Sequence, residues 1–409
     1  MQNDSRAAAR HAVGRPQSIW GGIGRTLLVM ITVLAISSVS VAAYGAWHLG
    51  ERFKNGAVSL GDDNKIPNIA ALNGAFNVLL VGADNAPGQK HFGETRDATL
   101  NDVNILIHVS ADHSEATVIS MPRDLVIPHP QCTDPKTNQI YSAMSAQPLN
   151  VAYSRGGLSC VVGTVESLTG LTIPYAALFS FEGTVKMADA VGGVPVCVNK
   201  AIDDKDSGLK LKKGVTVVKG RTALAYLRSR HGVGDGSDLS RIASQQAYMS
   251  SLMRTMTSAG TLSNPTKLYG LASAAADSIT LSESLATPDT MVQMALAVKS
   301  VGLEHMVFVQ YPTGADPVNP SKVVPSTALA TTLMERVQQD RSVGLDKDAL
   351  GLSTKLKKAK QKAKDEEKAS ASPTRSPSPS ASATADTDVI AGLRGQTAAQ
   401  QTCSVAYGS

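Results

Sequence analysis

LAYLRSRHGVGDGSDLSRIASQQ, residues 224–246, is the stretch by which the rest of the chain is placed. Arg228, Arg230, His231, Asp238, Arg241, Gln245 and Gln246 form a dense polar group there, between two otherwise apolar segments. Gly232, Gly234 and Gly236 forbid one continuous helix, because each glycine costs about 1 kcal/mol in a helix interior. Arg228 and Arg230 are two apart, so a helix would point them about 200° from each other and an extended segment would point them the same way. After the glycines, Ser237 or Asp238 can cap a new helix. On it Asp238, Arg241 and Gln245 fall at i, i+3 and i+7, on one side, while Leu239, Ile242, Met249, Leu252, Met253 and Met256 supply the apolar side. Three arginines, a carboxylate and an amide can therefore converge. Arginine presents a planar fork of donors that matches phosphate oxygens, and the direct reading is a site for more than one phosphate. A solvated helix–loop surface holding ion pairs has the same spacing, and spacing alone does not separate the two.

Outward from this stretch, 409 residues suffice for one large domain or two. The net charge of +5 changes meaning once it is divided. Residues 1–54 carry six Lys/Arg against two Asp/Glu, and residues 355–409 carry nine against five, so each end is +4 and the middle is −3. A basic excess confined to the ends gives no case for nucleic acid across the body. Cys132, Cys160, Cys197 and Cys403 show no metal-ligand spacing. An even count permits disulfides if the body lies outside the membrane, with Cys132–Cys160 the pair to expect, and buried free thiols are the alternative.

Residues 1–25 are polar and hold four arginines. Residues 27–47 then run uncharged for 21 residues, enough to cross about 30 Å of hydrocarbon, with Trp20, Tyr44 and Trp47 at the interfacial positions. This predicts an uncleaved transmembrane helix over 26–49, a cytoplasmic N-terminus and everything later outside. A cleaved signal peptide is the rival, but its apolar core is usually shorter. Residues 50–74 read as a spacer. Strand-like runs follow at 76–81, 103–109 and 116–121. The first delivers Asp84 and the third Arg123, each just past a strand's carboxyl end, where ligands of open α/β sheets gather. Helical spacing at 160–168 and 184–191, strands at 178–181, 194–198 and 306–310, and helices from Pro265 and over 291–301 complete an α/β domain over 75–340. Beyond it, residues 341–409 hold six lysines within 355–364 and a Ser/Pro/Ala/Thr run over 369–385. That composition predicts a largely disordered tail.

Residues 223–246 resemble the signature of the LytR-CpsA-Psr family of cell-wall phosphotransferases, whose paired arginines fall on Arg228 and Arg230 and whose later Asp, Arg and Gln fall on Asp238, Arg241 and Gln245. FNVLLVGAD, VISMPRD, LNVAYSRGG, VVGTVESLTG and DAVGGVPV resemble further blocks of the family, in the family's order. The resemblance implies a three-layer α/β/α domain with a central mixed sheet behind one membrane anchor. It also implies transfer of an anionic glycopolymer from a polyprenyl-pyrophosphate carrier to peptidoglycan, at the plasma membrane. On this likeness Asp84 and Asp102 are ligands of Mg²⁺, and Arg123, Arg228, Arg230, Arg241 and Gln245 hold the pyrophosphate. Asp238 either orients an arginine or accepts the hydroxyl proton, and His231 is a candidate base by position alone. One block departs from the family: an arginine is expected where Leu100 stands, and Arg96, with Asp97, is the nearest substitute. A protein that binds the lipid phosphate without transfer, or one that hydrolyses the pyrophosphate, would use the same groups.

Overall fold

The computed structural model describes residues 19–61, 74–84, 99–258, 265–276, 278–346, 348–357 and 389–408. The chain divides into two units, Met1–Glu51 and Arg52–Ser409. All of the described part of the first belongs to helix α1, Ile19–Asn55. Its stretch Arg25–Asn55 is long and apolar enough to cross a membrane. Leu28, Leu34, Val39 and Val41 are all exposed on it, the surface of a helix suited to a hydrocarbon surround.

The second unit is built on a seven-stranded mixed sheet. Its strands are β1 (Phe76–Ala83), β2 (Asn101–Val109), β3 (Ala116–Met121), β4 (Tyr175–Ser180), β9 (Ile279–Leu281), β10 (Met306–Gln310) and β12 (Gly395–Thr397), in the order β9-β4-β1-β2-β3-β10-β12. β4 and β10 run parallel to their neighbours β1 and β3, and the other pairings are antiparallel. Alternation along the strands separates two faces. Leu79, Leu106 and Ile119 enter a core with Val161 and Val165 of helix α2 (Ala152–Thr169) and with Leu333 and Val337 of helix α8 (Thr327–Gln338). Leu80, Gly82, Val103 and Ile105 point to the opposite face, toward α3 (Phe181–Val191), α4 (Gly220–Arg228) and α5 (Asp238–Thr257). The result is three layers, α/β/α.

A second sheet, β8-β5-β13-β11, combines β5 (Val194–Val198), β8 (Gly214–Val218), β11 (Thr354–Leu356) and β13 (Thr402–Ser404). Val194, Val196 and Val198 are buried with Tyr226 of α4 and Tyr248 of α5 in a separate cluster. Between β5 and β8 lies a hairpin, β6 (Ile202–Asp204) and β7 (Leu209–Leu211). Helices α6 (Pro265–Ala276) and α7 (Pro288–Val301) complete the described elements that matter here.

The last two strands correct the expectation of a largely disordered tail over 341–409. Residues 389–408 return into the body: β12 extends the main sheet beside β10, and β13 lies between β11 and β5. Cys403 is bonded to Cys197 and Cys132 to Cys160. The Ser/Pro/Ala/Thr run itself lies outside the described residues. Composition misleads here because these short strands are held by distant partners and a covalent bond, not by local apolar periodicity.

Candidate functional site

Antiparallel pairing decides where the chemistry collects. β1 ends where β2 begins, and β3 ends beside that same start, with Asn104 opposite Met121. Asp84 after β1, Asp102 at the start of β2, Arg123 after β3 and Phe181 after β4 therefore share one edge of the sheet. Above it stand α4, ending on Arg228, and α5, beginning with Asp238. Between the helices and the sheet lies a cavity of ≈ 700 Å³. Asp84, Asp102, Arg123, Arg228, Arg230, Arg241 and Gln245 line it, while Ile105, Phe179, Val191, Met249, Leu252 and Met256 form an apolar wall. The pocket is thus charged toward the sheet edge and the loop after α4, and apolar along this wall.

The two leading arginines reach the cavity from neither a single helix nor a single extended segment. Arg228 is the last residue of α4, Ser229 caps it in an extended conformation, and Arg230 opens the turn that follows, its carbonyl accepting from Val233 N at 3.1 Å. The Arg228 guanidinium lies 4.6 Å from the centroid of the Phe181 ring, a cation–π contact that fixes its plane. Gly234 has φ +55, and a Cβ there would stand 2.8 Å from the Ser353 Cβ, so only glycine lets the loop pass. Ser237 caps α5 by accepting from Ser240 N.

Asp102, Arg123, Asp238 and Arg241 form one connected group. Arg123 Nη1 donates to Asp102 Oδ1 at 2.8 Å. Asp238 Oδ1 stands 2.6 Å from Arg241 Nη2 and 3.8 Å from Arg123 Nε. The first is a close ion contact without hydrogen-bond alignment, since both Asp238 oxygens are buried and lack a hydrogen-bond partner among the described residues. This enclosure suits orientation of the two arginines and leaves Asp238 poorly placed to take a proton from a substrate. Arg241 Nη2 also donates to the Asp102 carbonyl at 3.0 Å. Burial depresses the pKa of Arg241; Asp238 and Asp102 oppose that, while Arg123 and Arg230 add to it. For Arg123 burial also works against the charge, but Asp102, Asp238 and Asp124 outweigh it and raise the pKa. Among the described residues the Nε atoms of Arg123, Arg230 and Arg241 are buried without a hydrogen-bond partner. Arg123 Nε still faces Asp124 Oδ2 at 3.5 Å, whereas a buried donor with no partner costs about 1–3 kcal/mol, which makes Arg230 and Arg241 candidates to bind a ligand.

Gln245 Nε2 donates to the Leu227 carbonyl at 2.9 Å, tying α5 to α4 and leaving one amide N–H for a ligand. Gln246 faces away, toward Ser120. Leu100, which departs from the family pattern, grips Asp84 through its backbone: its N–H donates to Asp84 Oδ1 at 3.0 Å, and its carbonyl accepts from Asp84 N at 3.2 Å. Arg96 and Asp97 lie outside the described residues. His231 is exposed at the cavity rim, with Nδ1 2.6 Å from Asp206 Oδ2.

Three participants were not read from the sequence. Phe181 follows a strand end, so the rule that points to Asp84 and Arg123 points to it as well. The β6–β7 hairpin brings Asp204, Asp206 and Ser207 to the cavity, and no local pattern marks it. Asp124 bonds Lys322 Nζ at 2.5 Å, a partner from almost two hundred residues away. Burial pushes the Asp124 carboxyl upward, but the Lys322 bond and the charges of Arg123, Lys322 and Arg230 hold it below its usual range. A depressed carboxylate stabilises the fold above its unfolded pKa of about 3.9 and loses that contribution as pH falls through the folded value. Below about pH 4 the melting temperature of the wild type should thus fall more steeply than that of Asp124→Asn. Parallel slopes would mean this pair does not couple to folding.

With the geometry in place, comparison with known proteins is informative. A profile described as the LytR_cpsA_psr family matches residues 44–339. The cell wall biosynthesis protein LcpA of Corynebacterium glutamicum is 33% identical over 282 residues, 62% of this chain and 53% of that protein. A polyisoprenyl-teichoic acid–peptidoglycan teichoic acid transferase, TagT of Bacillus subtilis, is 28% identical over 234 residues, 55% of this chain and 67% of that one. The chain spans about half the length of LcpA and, at 48%, of a second Corynebacterium glutamicum relative, LcpB. Among solved structures, a LytR-Csp2A-Psr enzyme from Actinomyces oris superposes with a TM-score of 0.51 at 23% identity, covering 65% of this chain and 90% of its own. This likeness concerns the fold. The match over residues 44–339 takes in both the sheet edge and the arginine helices, and the chain belongs to the LytR_cpsA_psr family.

Proposed function

We propose that this protein transfers an anionic glycopolymer from a polyprenyl-pyrophosphate carrier to peptidoglycan, forming a phosphodiester. The observation that carries this reading is the cavity's division into an arginine-lined edge, where the Nε atoms of Arg230 and Arg241 make no hydrogen bond among the described residues, and a long apolar wall. A lipid pyrophosphate has the same two halves. LcpA and TagT carry names that assign them to cell wall biosynthesis and to teichoic acid transfer, and the same reaction class suits this site. The acceptor hydroxyl attacks the phosphorus that bears the glycan, the anhydride bond breaks, and polyprenyl monophosphate leaves, the hydroxyl proton passing in the net reaction to the released phosphate or to water. Such transfer depends mainly on positioning and on neutralising charge.

In this reading Arg123, Arg228, Arg230 and Arg241 hold the phosphate oxygens, Gln245 contributes its remaining N–H, and Asp238 orients Arg123 and Arg241. Asp84 and Asp102 reach the same cavity, and their donor set fits Mg²⁺, a hard cation that takes one or two carboxylates together with substrate oxygens. Bound there, the ion would neutralise charge developing on the phosphates. Among the described residues no group of three or more His, Cys, Asp or Glu is arranged to hold a metal ion on protein atoms alone, so a metal at this pair would depend on substrate for its remaining ligands. Helix α1 would anchor the chain with its arginine-rich N-terminus in the cytoplasm and the site outside, following the bias of Lys and Arg toward the cytoplasmic flank.

Mass spectrometry of organic extracts from the detergent-purified full chain tests the ligand class. Polyprenyl phosphate or pyrophosphate should co-purify with the wild type and be depleted in Arg230→Ala. A folded wild type that carries no polyisoprenoid phosphate, and takes none up when it is added, contradicts the reading.

A further inference from the structure

The family match stops at residue 339, yet the segment that returns at residues 389–408 is packed against the back of the arginine stretch. β13 contributes Ser404, whose Oγ lies 2.5 Å from the Tyr226 hydroxyl and donates to Ser244 Oγ at 3.2 Å. Ser244 is in turn 3.1 Å from Ser353 Oγ, and Ser353 donates to the Ser240 carbonyl. Tyr226 is two residues before Arg228 on α4. Ser240 and Ser244 on α5 are the immediate neighbours of Arg241 and Gln245. All five members of this chain of hydroxyl and carbonyl groups are at most 2% exposed. The backbone joins in: Gly234 N donates to the Val405 carbonyl at 2.8 Å, Tyr407 N to Gly232 at 3.0 Å, and Val405 N to Ser353 at 2.7 Å. The loop between Arg230 and Asp238 contains three glycines and has little stiffness of its own. Besides its own turn bonds and the Gln245–Leu227 tie, the far end of the chain holds it and spaces α4 from α5 behind the cavity.

We propose that the C-terminal strand β13 is a positioning element of the site, with Ser404 and Tyr226 setting the spacing between the helix that carries Arg228 and the helix that carries Arg241 and Gln245. The inference rests on the reading of the arginine-lined cavity as the transfer site. Its physical basis is that buried hydroxyls must be paired. Ser404 pairs one from each helix: a shift of α4 orphans the Tyr226 hydroxyl, and a shift of α5 costs Ser244 one of its two partners. Phosphoryl transfer is sensitive to such shifts, since a misplacement of about 1 Å can cost about 10²-fold in rate.

The test uses the full chain in detergent with Ser404→Ala and with Tyr226→Phe, which removes a single oxygen. Ser251→Ala is the control: it deletes another buried hydroxyl of α5, one that donates to the Pro195 carbonyl at 2.6 Å instead of joining α4 to β13. Two readouts are taken. Amide hydrogen exchange over residues 226–246 should rise about tenfold or more in Ser404→Ala and Tyr226→Phe and stay near wild type in Ser251→Ala. The kcat for a lipid-pyrophosphate donor should fall about tenfold in the first two with KM nearly unchanged, a positioning effect smaller than a full misplacement. Unchanged exchange over 226–246 in Tyr226→Phe overturns the proposal whether or not the protein transfers anything. A kcat loss that only tracks melting temperature, alike in all three variants, overturns it too. A wild type that transfers nothing removes the transferase reading alone, because the exchange result still decides the role of β13.

Discussion

Arg230→Lys and Arg228→Lys should each lose about 10²–10³ in transfer rate, roughly 2.7–4 kcal/mol, while remaining folded. Lysine keeps the charge, so a role in general attraction would survive the change. It loses the planar fork that binds two phosphate oxygens at once. At Arg228 it also loses the flat face that lies over Phe181. Both side chains are partly accessible at the cavity, where removal of an exposed ion pair would cost about 0–1 kcal/mol and leave activity alone. Arg241 makes a different case. It is 5% exposed and stands 2.6 Å from buried Asp238, so Arg241→Ala leaves that carboxylate only the more distant Arg123, at 3.8 Å, and should cost about 3 kcal/mol of stability. Activity lost in Arg241→Ala is therefore uninformative without a melting curve. Activity within threefold of wild type in folded Arg228→Lys and Arg230→Lys would end the claim that these two hold phosphate.

Truncation after Lys357 should give a protein that does not hold its fold at 37 °C. The deletion removes β12 from the main sheet, β13 from the second, Ser404 from its buried network and Cys403 from its bond to Cys197. The bond closes a loop of 206 residues, and loss of a native disulfide alone commonly costs about 2–5 kcal/mol. That is a large part of the about 5–15 kcal/mol by which domains are stable. Replacing residues 358–388 by a Gly/Ser run of equal length removes the lysines, serines and prolines while keeping both flanks. It should leave the melting temperature within a few degrees of wild type. A truncated chain that melts like the full protein would show that residues 389–408 contribute little to the fold.

The contrast between those two deletions shows what the sequence could tell. β1, β3, β5 and β10 are legible because each is a run of β-branched and apolar residues bounded by glycine, proline or polar residues, and three of the four ranges coincide with the runs read from composition. β12 and β13 are three residues long and bury polar side chains, Gln396, Thr402 and Ser404, which a search for apolar periodicity passes over. Their order comes from partners far away in the chain. A Ser/Pro-rich segment ahead of them makes the whole terminus look unfolded. The site divides similarly. Asp84 and Arg123 follow from the rule that ligands meet at strand ends, and Asp238, Arg241 and Gln245 from helical spacing. The spacing of Arg228 and Arg230 leaves helix and extended segment both open; a helix ends on the first and a turn opens at the second. Asp124 with Lys322, and the 202–211 hairpin at the rim, depend on tertiary contact and leave no local trace.

The most direct test of transfer is the fate of the glycan phosphate. The purified full chain is given a polyprenyl-pyrophosphate-linked oligosaccharide, Mg²⁺ and peptidoglycan, and the products are analysed by mass spectrometry after muramidase digestion. The account predicts muropeptides that carry the oligosaccharide through a phosphodiester, with polyprenyl monophosphate released in equal amount. Release of free phosphorylated oligosaccharide with no modified muropeptide would make the site a hydrolase, and a bound donor that is never turned over would make it a binding site; either result contradicts transfer.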